Sequence, residues 1–296
     1  MQFLAYILVY PLLWLVSILP FKVLYGISDV MFVLVYRVFG YRTSTVKTNL
    51  KLAFPDKSDQ EISEITTKFY HHLCDMIMES IKSMSISESE LKQRFTFTNI
   101  EEIHKVEQEG KSIALMCSHY ASWEWIFILQ RYMNHDGYAV YKRLNNKYFD
   151  KLVKRIRAKY NTYLYSNKEI VPVLFKAKRN NQVCTAGFVA DQSPKAEKAI
   201  YWQNFMGIKV PVHVGAEVLA KRLDMPVMFY GVKKVKRGHY QTTFSTITLD
   251  PKSFKDFEIT DAYIKLCEAQ ILDAPEYYLW THKRWKHRDK VPAKFQ

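Results

Sequence analysis

A histidine followed five positions later by a glutamate, His119 and Glu124, heads the segment Ser118-His119-Tyr120-Ala121-Ser122-Trp123-Glu124. Imidazole titrates near neutrality, so a histidine can take a proton from an alcohol, while a carboxylate on its other nitrogen fixes the tautomer and steadies the imidazolium. The apolar run SIALMCS (112–118) directly before it reads as a strand, and a Trp-rich helical pattern follows from about residue 122. Five residues along a regular helix turn through about 500°, roughly 140° off one face, so the two side chains meet only if His119 lies in the turn before the helix. In that geometry Glu124 accepts from one imidazole nitrogen and the other is free as a general base. Unaided, such a pair is more often a structural hydrogen bond than a catalyst.

The elements that would position this pair alternate along the chain. Ser58-Asp59-Gln60-Glu61 is a capping box opening an amphipathic helix from about 59 to 83. Short apolar runs at 112–118, 138–142, 183–191, 226–232 and 240–247 take turns with helical patterns near 122, 147–160, 213–223 and 259–273. That order predicts an α/β fold with a central mixed sheet flanked by helices. Open α/β sheets gather ligands at the carboxyl ends of their strands, where His119 would sit. Asp191, after the run VCTAGFVAD, occupies a second such end and reads equally as a residue that orients the site or as a helix cap.

The amino terminus has a different character. No side chain from Met1 to Phe21 is charged, and the stretch is long enough for a membrane helix; Pro11 interrupts it, so a span and an interfacial segment are both open. Gln2 before the run and Pro20-Phe21-Lys22 after it do not make a cleavable signal. A second apolar stretch, 23–36, holds Asp29 and is expected to pack back on the first. These readings give an anchor over 1–36 and a second, larger domain over 37–296. Arg37, Arg42, Lys47 and Lys51 then fall on the cytoplasmic side and face anionic headgroups. The whole chain carries 43 Lys+Arg against 29 Asp+Glu, a formal charge of +14, which favours anionic partners without choosing among them. Cys74, Cys117, Cys184 and Cys267 form no CxxC pair and read as reduced core residues.

Further blocks carry a resemblance. Asn49-Leu50 with Phe54-Pro55, Val140-Tyr141-Lys142 with Asn146, Ala190-Asp191-Gln192, and the run from Pro275-Glu276-Tyr277-Tyr278-Leu279-Trp280 to Thr281-His282-Lys283-Arg284-Trp285-Lys286 stand in order around the HxxxxE motif. Together they resemble the lipid A late acyltransferase family, the lauroyl/myristoyl type within the glycerolipid acyltransferase superfamily, from about residue 42 to 288. The resemblance implies transfer from an acyl carrier protein or acyl-CoA thioester to a hydroxyl of a lipid A precursor, in lipopolysaccharide biosynthesis. It places the enzyme at the bacterial inner membrane with its site facing the cytoplasm. His119 would deprotonate the hydroxyl and Glu124 would hold the imidazole. Lys142, where the family has Arg, keeps the charge but loses the bidentate fork. It would bind substrate or steady the oxyanion with Arg143, and as readily be a solvated basic residue. Asp191, His282 and Arg284 complete the implied substrate-binding set. A thioester releases its thiolate readily, so neither a serine nucleophile nor a cofactor is expected.

Rival readings remain. Another acceptor, such as a lysophospholipid, a hydroxyacyl aminolipid or a glycolipid, would use the same chemistry. A hydrolase built on Ser118 or Ser122 lacks a GxSxG elbow. A nucleic-acid partner would explain the charge but not the uncharged amino terminus, and no nucleic-acid-binding signature appears. His71-His72, His104, His135, His213 and His239 show no metal-ligand spacing, so no metal is expected.

Overall fold

The computed structural model describes residues 1–295. Its strands are β1 (Phe95–Phe97), β2 (Ile113–Cys117), β3 (Asp136–Tyr141), β4 (Tyr163–Ser166), β5 (Cys184–Val189), β6 (Trp202–Phe205), β7 (Ile208–Pro211), β8 (Val227–Lys236) and β9 (His239–Thr248). Seven of them form one mixed sheet in the order β1-β9-β8-β2-β5-β3-β4, parallel except for the β8–β9 hairpin; β6 and β7 pair apart from it. β2 is buried along its whole length, as a continuous apolar run at the centre of a covered parallel sheet should be. The α/β alternation expected from the sequence is present. β1 and β4 escape that reading because three or four residues are too few to show a period.

The helices are α1 (Gln2–Ile18), α2 (Phe21–Phe32), α3 (Thr43–Ala53), α4 (Asp59–Lys82), α5 (Glu88–Arg94), α6 (Glu101–Gln108), α7 (Lys147–Arg157), α8 (Ile170–Arg179), α9 (Gly215–Leu223) and α10 (Glu258–Asp273). The capping box of α4 forms, with the Glu61 carboxylate accepting from the Ser58 backbone at 2.8 Å and the Ser58 hydroxyl accepting from the Glu61 backbone. All four cysteines are free and buried.

α1 runs through Pro11 and stops at Ile18, and Pro20 restarts the chain as α2. No single helix among the described residues is long and apolar enough to cross a membrane; Phe21–Val38 with Thr43–Ala53 passes only as a pair bent by 86°. Contrary to the expectation from its apolar character, the 23–36 stretch does not pack mainly on the first. Its main neighbour is α4, because its polar side chains find partners there: Ser28 Oγ donates to Asp75 and Tyr25 to Glu79.

α3 ties the amino-terminal third to the carboxyl-terminal segment. Buried Asn49 donates through Nδ2 to the carbonyls of Trp280 and His282, both at 2.8 Å. Asn49→Ala leaves two carbonyls without that donor, and the expected cost is about 2–4 kcal/mol of unfolding free energy, read as a fall in Tm.

Candidate active site

Strand register builds the site. β2 and β5 are neighbouring parallel strands with Cys117 opposite Val189. His119 and Asp191 each lie two residues beyond that pair, so both chains leave the sheet at the same level and the same edge. The His119 Nδ1–H donates to Asp191 Oδ1 at 2.8 Å, with side-chain exposures of 22% and 1%. Nε2 has no protein hydrogen-bond partner among the described residues and is left free as an acceptor. Burial disfavours the imidazolium, but the Asp191 charge and hydrogen bond outweigh it and hold the His119 pKa above its ordinary value. Burial likewise opposes the Asp191 charge, and the imidazolium beside it keeps that pKa below the usual carboxylate range.

Glu124 does not hold the imidazole. His119 does lie in the turn after the strand, but residues 118–124 form no regular helix, and Glu124 precedes a 3₁₀ segment, Trp125–Arg131. There its carboxylate turns to Arg157 at the end of α7, which donates through Nε at 3.0 Å and Nη2 at 2.5 Å. A bidentate guanidinium satisfies a half-buried carboxylate better than one imidazole N–H can. Arg157 was not singled out from the sequence; it lay in the Lys/Arg-rich helix near 147–160, where no spacing separates it from its basic neighbours. The Trp123 ring stands edge-on to the imidazole, centroids 5.3 Å apart.

The turn is stitched to the carboxyl-terminal segment. Leu279 N–H donates to the His119 carbonyl at 3.1 Å and Ala121 N–H to the Tyr277 carbonyl at 3.0 Å. Tyr263 donates to the Cys117 carbonyl at 2.7 Å.

His282 and Arg284 do not line the cavity, contrary to the expectation that they belong to the substrate-binding set. Arg284 is buried and donates to the Pro211 carbonyl at 3.0 Å, and its own carbonyl accepts from Ser193 Oγ at 2.6 Å. His282 Nε2 accepts from the Ser193 backbone at 3.1 Å, and burial, opposed by Asp191 and aided by Arg284, lowers its pKa to about 4. Both residues fasten the loop that carries Asp191. The physical reason is the neighbouring tryptophans: buried Trp280 and Trp285 stack with centroids 5.9 Å apart and carry Arg284 inward, while Lys283 between them stays exposed. Arg143 is also turned away, paired with Glu169, while Lys142 faces the cavity. Asn146 caps α7, its Oδ1 accepting from Tyr148 and Phe149.

The cavity beside His119 has a volume of about 650 Å³ and is largely apolar. His119, Glu124, Lys142 and Arg157 lie along it, and it follows β3 and β5 back to Gly137 and Thr185. Gly187 leaves space that a larger side chain on the sheet would fill, whereas the Gln130 side chain already occupies the Cβ position of Gly137.

A family model described as bacterial lipid A biosynthesis acyltransferase matches residues 1–287. The chain is similar to the lipid A biosynthesis lauroyltransferase of Escherichia coli (strain K12), 25% identical over 288 residues that cover 96% of this chain and 92% of that one. It is also similar to the lipid A biosynthesis palmitoleoyltransferase of the same strain, 23% identical over 93% of this chain and 89% of that one. A lipid A biosynthesis acyltransferase of Haemophilus influenzae (strain ATCC 51907 / DSM 11121 / KW20 / Rd) is 23% identical, over 85% of this chain and 80% of that one. With the family match running nearly end to end, the chain belongs to the bacterial lipid A biosynthesis acyltransferases and is an acyltransferase.

Proposed function

We propose that this enzyme moves a fatty acyl group from an acyl carrier protein or acyl-CoA thioester to a hydroxyl of a lipid A precursor at the cytoplasmic face of a bacterial inner membrane. The observation that carries the reading is His119, held through Nδ1 by buried Asp191 and free at Nε2, beside a large apolar cavity. Nε2 takes the proton as the lipid hydroxyl attacks the thioester carbonyl; the new ester forms, the C–S bond breaks, and the departing thiolate receives a proton from the imidazolium. Asp191 steadies the imidazolium between those two events. Glu124 and Arg157 fix the far wall, and Lys142 supplies a cation for phosphate or for the developing oxyanion.

Membrane contact is the role proposed for residues 1–36. Leu4, Leu8, Leu12 and Leu15 on α1 and Val30 on α2 are exposed, an apolar surface with no protein cover. α1 also packs on α7: the Tyr6 ring lies 5.7 Å from Tyr148, and Asn146 Nδ2 donates to the Gln2 carbonyl. The apolar surface therefore adjoins the helix whose Arg157 lines the cavity, a short route for a lipid to leave the bilayer. The basic balance of the chain suits anionic headgroups.

The donor chain is assigned to the cavity that runs along β3 and β5. From Val189 to Thr185 is four residues, about 13 Å. A Cβ on Gly187 would meet only the Tyr138 carbonyl, at an ordinary 3.7 Å, so a side chain there would extend into the channel midway. Gly187→Leu is expected to shift donor preference to chains several carbons shorter, measured by competition among thioesters of graded length.

Mass spectrometry of total lipids from a strain lacking this protein tests the function as a whole. Loss of one acyl group from lipid A is the expected result. Unchanged lipid A with a missing acyl group on another lipid would replace the proposed acceptor.

A further inference from the structure

The turn that aims His119 contains a conformational liability. Ala121, fully buried, is held at φ 49°, in the left-handed region that disfavours any residue with a Cβ. Such a turn persists only where its surroundings hold it. The Ala121 N–H is held by Tyr277, and its carbonyl by one side chain, His72 of α4, whose Nε2–H donates to it at 3.3 Å.

His72 is itself held in one state. It is buried, its ring stands edge-on to Tyr277 with centroids 4.8 Å apart, and Nδ1 accepts from Lys234 Nζ of β8 at 3.3 Å. An ammonium donating to Nδ1 leaves the hydrogen on Nε2, facing Ala121. Burial first and the Lys234 charge second lower the His72 pKa to about 3, so the ring stays neutral. Lys234 is steadied by Asp75 at 3.5 Å, and Asp75 by Arg237, which extends to Asp29 on α2. Buried Glu79 of α4 also feels the Lys234 charge. His72 does not line the cavity.

We propose that His72 is a positioning residue for acyl transfer: aimed by Lys234, it holds the Ala121 carbonyl and with it the left-handed turn that keeps His119 against Asp191. The proposal rests on the reading of His119 as the base. It assigns a function to a buried histidine 47 positions upstream of His119 that makes no contact with substrate space.

The test is the pH dependence of kcat in the full-length enzyme. His72→Phe keeps a ring against Tyr277 and removes the donor; kcat is expected to fall about 10- to 100-fold, the loss typical of a base displaced by about an ångström. KM for the donor should change less than twofold. The acidic limb of the profile should move to lower pH, because an imidazole released from Asp191 is no longer held as imidazolium. His72→Gln, whose amide can donate to Ala121, should recover most of the rate and return the limb. Lys234→Met, which removes the group that sets the tautomer, should shift the limb in the same direction by less, and serves if His72→Phe fails to fold. An unmoved limb with reduced kcat means that His72 only supports the fold, and wild-type kcat in His72→Phe removes the proposal outright. In either case an inactive His119→Ala enzyme assayed alongside leaves the catalytic reading standing, whereas an active one overturns that reading first.

Discussion

His119→Ala is expected to lower kcat by about 10³-fold or more. General-base assistance contributes about 10²–10⁴ to such reactions, and an alcohol is a poor nucleophile until its proton has somewhere to go. Alanine also removes the partner of a buried carboxylate, so part of any loss could come from instability. His119→Gln separates the two effects. Its amide can still donate to Asp191 but cannot take a proton, so it should be as inactive as the alanine variant. It should also avoid the roughly 1–3 kcal/mol cost of leaving Asp191 unpaired. Steady-state kinetics with thermal denaturation of both variants checks the pair.

Asp191→Asn carries the second large effect, with kcat expected to fall about 10²- to 10⁴-fold and the acidic limb of the pH profile expected to move downward. The sign follows from the forces on His119. In the wild type the carboxylate outweighs burial and raises the imidazole pKa above its ordinary value. A base works only when unprotonated, so wild-type activity rises with pH through that raised value. Without the carboxylate, burial is unopposed by its main counterweight, the pKa drops, and the base is available at lower pH. It is nevertheless a weaker base, and its cation is less well supported in the transition state. Glu124→Gln is expected to move the limb far less, because the Glu124 charge is already engaged by Arg157. That contrast distinguishes a His119–Asp191 pair from the His119–Glu124 pair that the five-residue spacing brings to mind.

Much of the fold was legible because its central elements are long or strongly patterned. The α4 helix has its capping box and periodic apolar face, β2 is an unbroken apolar run, and β5 is apolar but for Thr185. His119 was legible too, as a histidine at a strand end. Its partner was harder to read, since HxxxxE directs attention along the chain while the register of two parallel strands directs it across the sheet. Cys117 and Val189 are 72 positions apart, and nothing local shows that they lie side by side. The sequence did mark Asp191 as a carboxylate at a strand end, which was the usable signal. The carboxyl-terminal motif misled for a related reason. His282 and Arg284 sit in a cationic run that looks solvated or anion-binding, yet Arg284 is buried between Trp280 and Trp285 and both residues hold Ser193 in the Asp191 loop. Charge is visible in a sequence, whereas the direction a side chain faces depends on what packs beside it. At the amino terminus composition marked an uncharged apolar stretch, but Pro20 and the partners of Ser28 and Tyr25 on α4 decided how that stretch divides into helices.

The most direct test of the account is a single-turnover reaction, with enzyme in excess over acyl donor and a lipid A precursor, quenched at intervals and followed by mass spectrometry of both lipid and protein. The prediction is that acylated lipid appears in step with loss of the thioester, that no acylated protein accumulates, and that His119→Ala stops the transfer. An acyl group found on the enzyme, or transfer at an unchanged rate without His119, would contradict it.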